Sequence, residues 1–365
     1  MKYLLIYISL ISILIISGCL SSVPPQMKVH KKTDLEKDML KGKVKEMVET
    51  NYDIKEVNGE SVKEMVSKTI KTFDENGNLL ERTISDARGD LTHKDVIKRD
   101  EKGNRTEWSD YSSDGSFHGK TVFSYDNKGI LTYETQYDNE NGTLKKKTVK
   151  RYDEKGNFIQ YEDYRSDGAM ANRIAYKYDD NGYMTEESCF DIDGKLSDKT
   201  TYKYNAKGIL LERFNYEPDG TVKGKAISKC DDRGNRTEFT VYSPDGTLAH
   251  RTTYKYNDRN QMKEMSDYKA NGSLDIKRVY IGTEDGKKLE IDAYDANDKL
   301  IGKAKFQYDT KGRLVERAEY NADGTLRNKM TSKFDDKDNI LDQKTFNAKD
   351  KPIKVRERTF TYYPD

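Results

Sequence analysis

Along most of the chain, segments of roughly 8 to 10 residues rich in Tyr, Thr, Val, Leu and Phe alternate with short polar clusters. Within the segments apolar and polar positions take turns, as in Thr200-Thr201-Tyr202-Lys203-Tyr204 and Thr252-Thr253-Tyr254-Lys255-Tyr256. A period of two belongs to strands, and apolar residues do not recur at helical spacing. The clusters keep time. Glycines fall at Gly77, Gly103, Gly129, Gly156, Gly182, Gly208 and Gly234, and the beat continues through Asn260, Gly286, Gly312 and Asp338. Every step is 26 residues except one of 27, where Asn139-Glu140-Asn141-Gly142 carries an extra residue. A second beat follows 12 residues after the first outside that long repeat, from Gly89 and Gly115 to Gly324 and Asp350. Each unit reads as two antiparallel strands that cannot bury a face alone, so the array predicts stacked neighbours sharing ladder bonds.

The fold class expected is therefore all-β: an extended antiparallel meander of about eleven 26-residue hairpin repeats, as a twisted open sheet or a β-spiral. The turns read Tyr-Asp-x-x-Gly (Tyr152 to Gly156) or Tyr-x-x-Asp-Gly (Tyr242 to Gly246). Asp bonds its own backbone a residue or two on, and Gly takes the positive φ that closes a short hairpin. Gly103, Gly129, Gly156, Gly182, Gly208, Gly234 and Gly312 are accordingly read as turn formers. Where Gly is missing, Asn or Asp replaces it.

Aligned repeats expose columns. Tyr111, Tyr137, Tyr164, Phe190, Tyr216, Tyr242, Tyr268, Tyr294, Tyr320 and Phe346 share one position, which Ser85 occupies in the first repeat. Leu91, Phe117, Leu144, Met170 and their equivalents share another, and paired aromatics such as Tyr176 and Tyr178 end the second strand. By period two these are expected on one face, as core or as a sugar-stacking ladder along the tyrosines. Glu81, Glu107, Glu186, Glu212, Glu238, Glu264, Glu290, Glu316 and Asp342 form an acidic column; Lys94, Lys120, Lys147, Arg173, Lys199 and their equivalents form a basic one. With a four-residue loop the two columns would oppose each other directly. With a five-residue loop they would take opposite faces, and the acids would join the tyrosines.

Composition narrows the class. The chain is 365 residues long, 35% charged and 34% hydrophobic, with a mean hydropathy of −0.99, which is too polar for one packed core of this length. Lys plus Arg is 65 and Asp plus Glu is 64, without the basic surplus of a nucleic-acid binder, so no such partner is expected. Leu4 to Ile16 is apolar apart from Tyr7, Ser9 and Ser12, and too short to span a membrane comfortably. It runs into Ile16-Ser17-Gly18-Cys19, which resembles the bacterial lipoprotein signal. That resemblance implies cleavage between Gly18 and Cys19, lipidation of Cys19 and a membrane-anchored location in the cell envelope, at the outer membrane or cell surface. The domains expected are a signal peptide over 1–18, a tether over 19–33, a capping hairpin over 34–73 and the array over 74–365. The cap would begin with a short helical turn near Asp34 and fold around Asn58-Gly59.

The Tyr-Asp-x-x-Gly-Asn/Arg unit, clear at Tyr152 to Asn157 and Tyr308 to Leu314, resembles the YD or Rhs repeat over residues 73 to 363. The resemblance implies a spiral of hairpins outside the cytoplasm. In large members it implies a shell around a toxic carboxy-terminal domain, and no such domain is expected here. Carbohydrate binding is also attributed to such repeats.

Catalytic chemistry does not stand out. His30, His93, His118 and His250 do not cluster with metal-ligand spacing. Asp191-Ile192-Asp193-Gly194 hints at calcium but is explained as a turn, and Cys189 and Cys230 read as two thiols rather than a disulfide. No cofactor or metal is expected. The function expected is a non-enzymatic, lipid-anchored envelope protein presenting a long β surface to a glycan or an envelope protein. The alternatives are a structural spacer or sheath that self-associates edge to edge, and an accessory or orphan component of a toxin system.

Overall fold

A computed structural model describes residues 33–138 and 142–364. The signal peptide, Gly18, Cys19, His30 and nearly all of the tether lie outside the described residues. A single helical turn, α1 (Asp34–Lys37), is followed by twenty-four antiparallel strands. Thr33 and Glu36 close α1 as a capping box, each bonding the other's backbone amide. The first hairpin is β1 (Val44–Val57) and β2 (Glu60–Phe73), each 14 residues long. Asn58 and Gly59 join them with φ of 52° and 84°, the primed two-residue turn that matches strand twist. From β3 (Leu79–Ser85) and β4 (Leu91–Arg99) onward the strands alternate in phase to the last, β24 (Pro352–Tyr362).

Both turn families fold alike. Asp153 N–H bonds Asn157 O at 3.0 Å and Gly156 N–H bonds Asp153 O at 3.0 Å; Ser243, Thr247 and Gly246 repeat the pattern at 2.9 Å. The positive φ falls where the beat predicts it, and the replacements adopt it too: Asn260, Asp298, Asp338 and Asp350 have φ of 60°, 59°, 69° and 57°. The Asn after the first glycine has a local reason. Asn157 Nδ2 donates to Asp153 Oδ2 at 2.8 Å, as Asn104 does to Asp100 at 2.9 Å.

Three expectations are corrected. The sheet is neither an open ribbon nor a spiral: it closes. β1 pairs with β2 on one side and with β24 on the other, so Met47 lies opposite both Lys71 and Phe360. Twenty-four strands about 4.8 Å apart give a circumference of about 115 Å, wider than side chains can fill. The first hairpin consequently closes a ring rather than capping an edge. Its breaking of the 26-residue phase suits that task, because its long strands must match two different neighbours.

The register is also neither of the two considered. Each hairpin slips by one residue beside its turn: Lys98 faces Glu107 while Arg99 faces Arg105, and Asp110 faces Gly119 while Tyr111 faces Phe117. These bulges place the acidic and basic columns on the same face as diagonal neighbours, with the tyrosines beside them. The paired aromatics lie on the other face, since Tyr176 opposes Glu187 whereas Phe190 opposes Arg173. Aromatic residues therefore divide between two faces instead of sharing one. Neither face is uniformly buried, and Phe73, Val44 and Asp95 are the largest fully buried side chains. The wall is one layer thick.

Candidate functional site

The first face carries the charge columns and the candidate tyrosines. On it Glu186 takes Lys177 at 2.9 Å and Lys199 at 2.8 Å, and Glu107 takes Lys98 at 2.8 Å and Lys120 at 3.6 Å. Lys229 and Glu238, and Lys255 and Glu264, repeat the contact at 2.9 and 2.8 Å. The hydrogen bond from Lys98 holds the Glu107 carboxyl below the usual range, and Lys229 does the same for Glu238. Singly such pairs are weak, but Lys98, Lys177, Lys229 and Lys255 stand directly opposite their acids while Lys120 and Lys199 are diagonal to theirs, and both arrangements disfavour a slipped register.

The structure brings the candidate binding tyrosines into one row. Tyr111, Tyr137, Tyr164, Tyr216, Tyr242, Tyr268, Tyr294 and Tyr320 are all half-buried. Their rings are already engaged. Cations lie over Tyr137 (Lys120, 6.0 Å), Tyr242 (Lys225, 4.5 Å), Tyr268 (Arg251, 4.2 Å) and Tyr294 (Lys277, 5.1 Å), in each case from the directly opposed residue. Tyr320 has Lys305 at 5.8 Å, and Tyr111 meets Phe117 edge-on at 5.7 Å. Tyr164 donates to Glu162 at 3.1 Å, and Tyr216 stacks with Phe214 at 6.2 Å.

The second face holds separate polar knots. Asp95 is 2% exposed and receives Arg82 Nε at 2.6 Å, Trp108 Nε1 at 2.7 Å and His93 Nε2 at 3.0 Å. This explains Trp108 and His93 without a ligand. Thr148, Tyr161 and Lys146 converge on Asp163 at 2.6, 2.8 and 2.8 Å. Ile174, Tyr176, Met184 and Cys189 form an apolar cluster nearby, and burial pushes the Tyr202 and Tyr178 phenols beside it up to about 12. Those phenols stay neutral at physiological pH. Neither Cys189 nor Cys230 is in a disulfide. Asp191 spends Oδ1 on the amides of Asp193 and Lys195 at 3.0 and 2.9 Å, as a turn residue does. Among the described residues no group of three or more His, Cys, Asp or Glu could hold a metal ion.

The turns define two rims. Gly77, Gly103, Gly129, Gly156, Gly182, Gly208, Gly234, Gly286 and Gly312 lie on the first, which also carries α1. Here neighbouring turns touch at several joints. Asn235 Nδ2 donates to Asn260 Oδ1 at 3.0 Å, Gln261 Nε2 to Glu284 O at 2.8 Å, Lys207 Nζ to Asp232 O at 2.7 Å and Arg313 Nη1 to Asp335 O at 3.1 Å. Leu35 and Leu40 pack with Val44, Met47 and Phe73, and the Leu35 amide bonds Gly77 O at 3.0 Å. Asp34 receives Lys37, Arg99 and the Leu79 amide. Burial pushes its carboxyl up, but these donors together hold it below the usual range. The sequence did not single out these residues, because Asp34 precedes the repeats and Arg99 and Asp95 each depart from their column.

No protein-family model matches the chain, and no curated protein matches it. Solved structures similar to it include a TcdB2–TccC3–TEV crystal structure, 12% identical with a TM-score of 0.31, the match covering 79% of this chain and 19% of that one. A Tc holotoxin pore from Photorhabdus luminescens is 12% identical with a TM-score of 0.20, covering 84% of this chain and 26% of that one. A porin-like protein from Bacteroides uniformis is 11% identical with a TM-score of 0.26, covering 87% of this chain and 96% of that one. The chain thus spans about a fifth to a quarter of the toxin chains it matches.

Proposed function

We propose that the protein is a non-catalytic component of the cell envelope, held at a membrane by a lipid on Cys19. Its closed array presents a binding surface to a glycan or an envelope protein. One observation carries this reading: the same charged and aromatic face recurs turn after turn around the ring, with its ionisable groups engaged by one another. Repetition of one surface serves extended or multivalent contact.

Anchoring suits the wall better than spanning. A membrane barrel turns an apolar band about 25 Å tall toward lipid. Here one face bears Lys–Glu rows and the other bears Asp95, Asp163 and Arg82. An edge-paired sheath is not supported, because β1 and β24 are partners and the ring leaves no strand edge free among the described residues. The first described residues sit on the rim with α1, so a lipid at Cys19 would hold that rim toward the membrane and leave the other outward.

Metabolic fatty-acid labelling of the full chain tests the reading, followed by pull-down from the same cells. Label should enter the wild type and be lost in Cys19→Ala. Label in both, or no glycan or envelope protein recovered with the wild type, overturns it.

A further inference from the structure

The ring breaks its own rule at one place. On the first rim, a side chain added at most of the glycines would meet the preceding turn, as Gly103 meets Asn78, Gly182 meets Asn157 and Gly234 meets Ile209 at 3.8, 3.8 and 3.0 Å. At Gly156 it would meet nothing within 4 Å. The acidic column fails at the same place: Tyr133 and Gln160 stand where the neighbouring repeats have Glu107 and Glu186. β7 (Leu131–Asp138) leads into β8 (Thr143–Tyr152), which at 10 residues exceeds the usual nine of its position. Between the turns at 126–130 and 153–157 lies a cleft of about 690 Å³, lined by Ile130, Tyr133, Val149, Arg151, Lys128 and Lys155 among others.

The chemistry of the cleft differs from the rest of the wall. Tyr133 is 39% exposed, and no other aromatic among the described residues is exposed to that degree. With its column carboxylate replaced, Lys147 lies over one face of the Tyr133 ring at 4.9 Å. Arg151 and Lys155 keep side-chain exposures of 56% and 65%, with Glu162 and Asp180 lying 3.5 and 3.8 Å from them at the edge of the cleft. Asp126 and Asp153 in the lining already accept their own turn amides. The cleft therefore combines an open aromatic ring with four basic lining residues, Lys128, Lys150, Arg151 and Lys155, against three acidic ones, Asp126, Asp153 and Glu154.

We propose that this cleft is a discrete binding site for an acidic saccharide, resting on the glycan form of the function proposed above. A sugar ring would stack on Tyr133, and its carboxylate would meet Arg151 and the adjoining lysines. An extended peptide fits less well, because such peptides bind by adding to a free strand edge and β7 and β8 are paired on both sides.

The test titrates the full chain by calorimetry with uronic, sialic and muramic acid oligosaccharides and with neutral galactotriose. At least one acidic saccharide should bind, and galactotriose at least tenfold more weakly. Tyr133→Ala and Arg151→Glu should each weaken the acidic ligand tenfold or more. Tyr133→Glu restores the residue of the regular column, so it should fold with an unchanged unfolding midpoint and still lose binding. Val57→Ala, on the second rim and away from both the cleft and the tyrosine row, should bind as wild type does. The inference is overturned if no acidic saccharide binds, if the neutral sugar binds equally, or if Tyr133→Ala and Tyr133→Glu keep wild-type affinity. Affinity lost in Tyr268→Ala but not in Tyr133→Ala would place the glycan on the regular row, leaving the broader function standing and the cleft without a ligand.

Discussion

The two rims are built from the same turn and behave differently. On the first, side chains following the glycine reach across: Asn235 to Asn260, Gln261 to Glu284 and Arg313 to Asp338. On the second, a side chain added at Gly89, Gly115, Gly168, Gly194, Gly220, Gly246, Gly272 or Gly324 would meet nothing within 4 Å. The backbone bonds are the same at both, so the turn itself does not decide. The residue after the glycine does. On the first rim it is often Asn, Gln or Arg; on the second it is often Ser or Thr, as at Ser116, Thr221, Thr247 and Thr325, which bond within their own turn, while Lys351 reaches across to Glu56. One rim is thereby a belt with a gap between the turns at 126–130 and 153–157, and the other a row of mostly independent loops.

The largest way to break this contrast is to empty the apolar cluster under α1. Phe73 is 1% exposed, and Phe73→Ala should lower the free energy of unfolding by about 3–5 kcal/mol. Val57, at the other end of the same hairpin and 51% exposed, should tolerate Ala within about 0.5 kcal/mol. Urea unfolding of the two variants measures the difference, and equal losses would mean the rims are equally structural.

Next comes Asn339, 2% exposed, which accepts the Lys41 amide at 2.7 Å and donates to Lys41 O and Tyr362 Oη at 2.9 Å each. Asn339→Ala leaves those buried groups unpaired and should cost about 2 kcal/mol by the same assay.

A paired glycine test is smaller. Gly208 and Gly246 have φ of 75° and 82°, so Ala at either costs about 1–2 kcal/mol from the left-handed backbone alone. At Gly208 the new methyl would also run into the Tyr183 ring, which stacks on Tyr204 at 5.1 Å. Gly208→Ala should therefore lose roughly 1 kcal/mol more than Gly246→Ala, and equal melting midpoints would remove the belt as a source of rigidity.

Acid should erase the contrast rather than enlarge it. On the second rim, side-chain hydroxyls of Thr221 and Thr247 hold Asp219 and Asp245 below the ordinary carboxylate value of 3.8. On the first, the Asn235 amide and the Arg313 backbone do so for Asp231 and Asp309. A lowered folded-state pKa gives stability that is full above the ordinary value and lost as pH falls through the folded one. Midpoints in urea should stay level from pH 7 to 5 and fall below about 4. Hydrogen exchange of the two sets of turn amides should rise together there. A fall confined to one rim would show that turn chemistry, not stitching, separates them.

Much of this was legible in the sequence because it is local. The glycine beat gave the hairpins, and the positions where Asn260 or Asp338 replaces glycine gave the backbone conformation. Closure was not legible. Nothing inside a 26-residue unit encodes how many units make a ring, and the partner of Met47 lies at Phe360. The faces were misassigned for a related reason: a bulge beside every turn resets the parity that a period-two count assumes, and moves Tyr176 away from the Phe190 row. The cleft at Gly156 left one signal in the sequence, the missing acid at Tyr133, which reads as ordinary drift until Tyr133 is seen to line the gap.

The pairing of β1 with β24 carries one more consequence. Glu46 lies opposite Thr361, so the earliest strand of the sheet cannot be satisfied until the last one has been made and delivered. Assembly can zip from hairpin to hairpin as each emerges, yet it ends in a single slow joining of two distant ends. A chain cut short anywhere along its length would keep most of its ladders and still expose two raw margins, a ribbon prone to stick to its own kind.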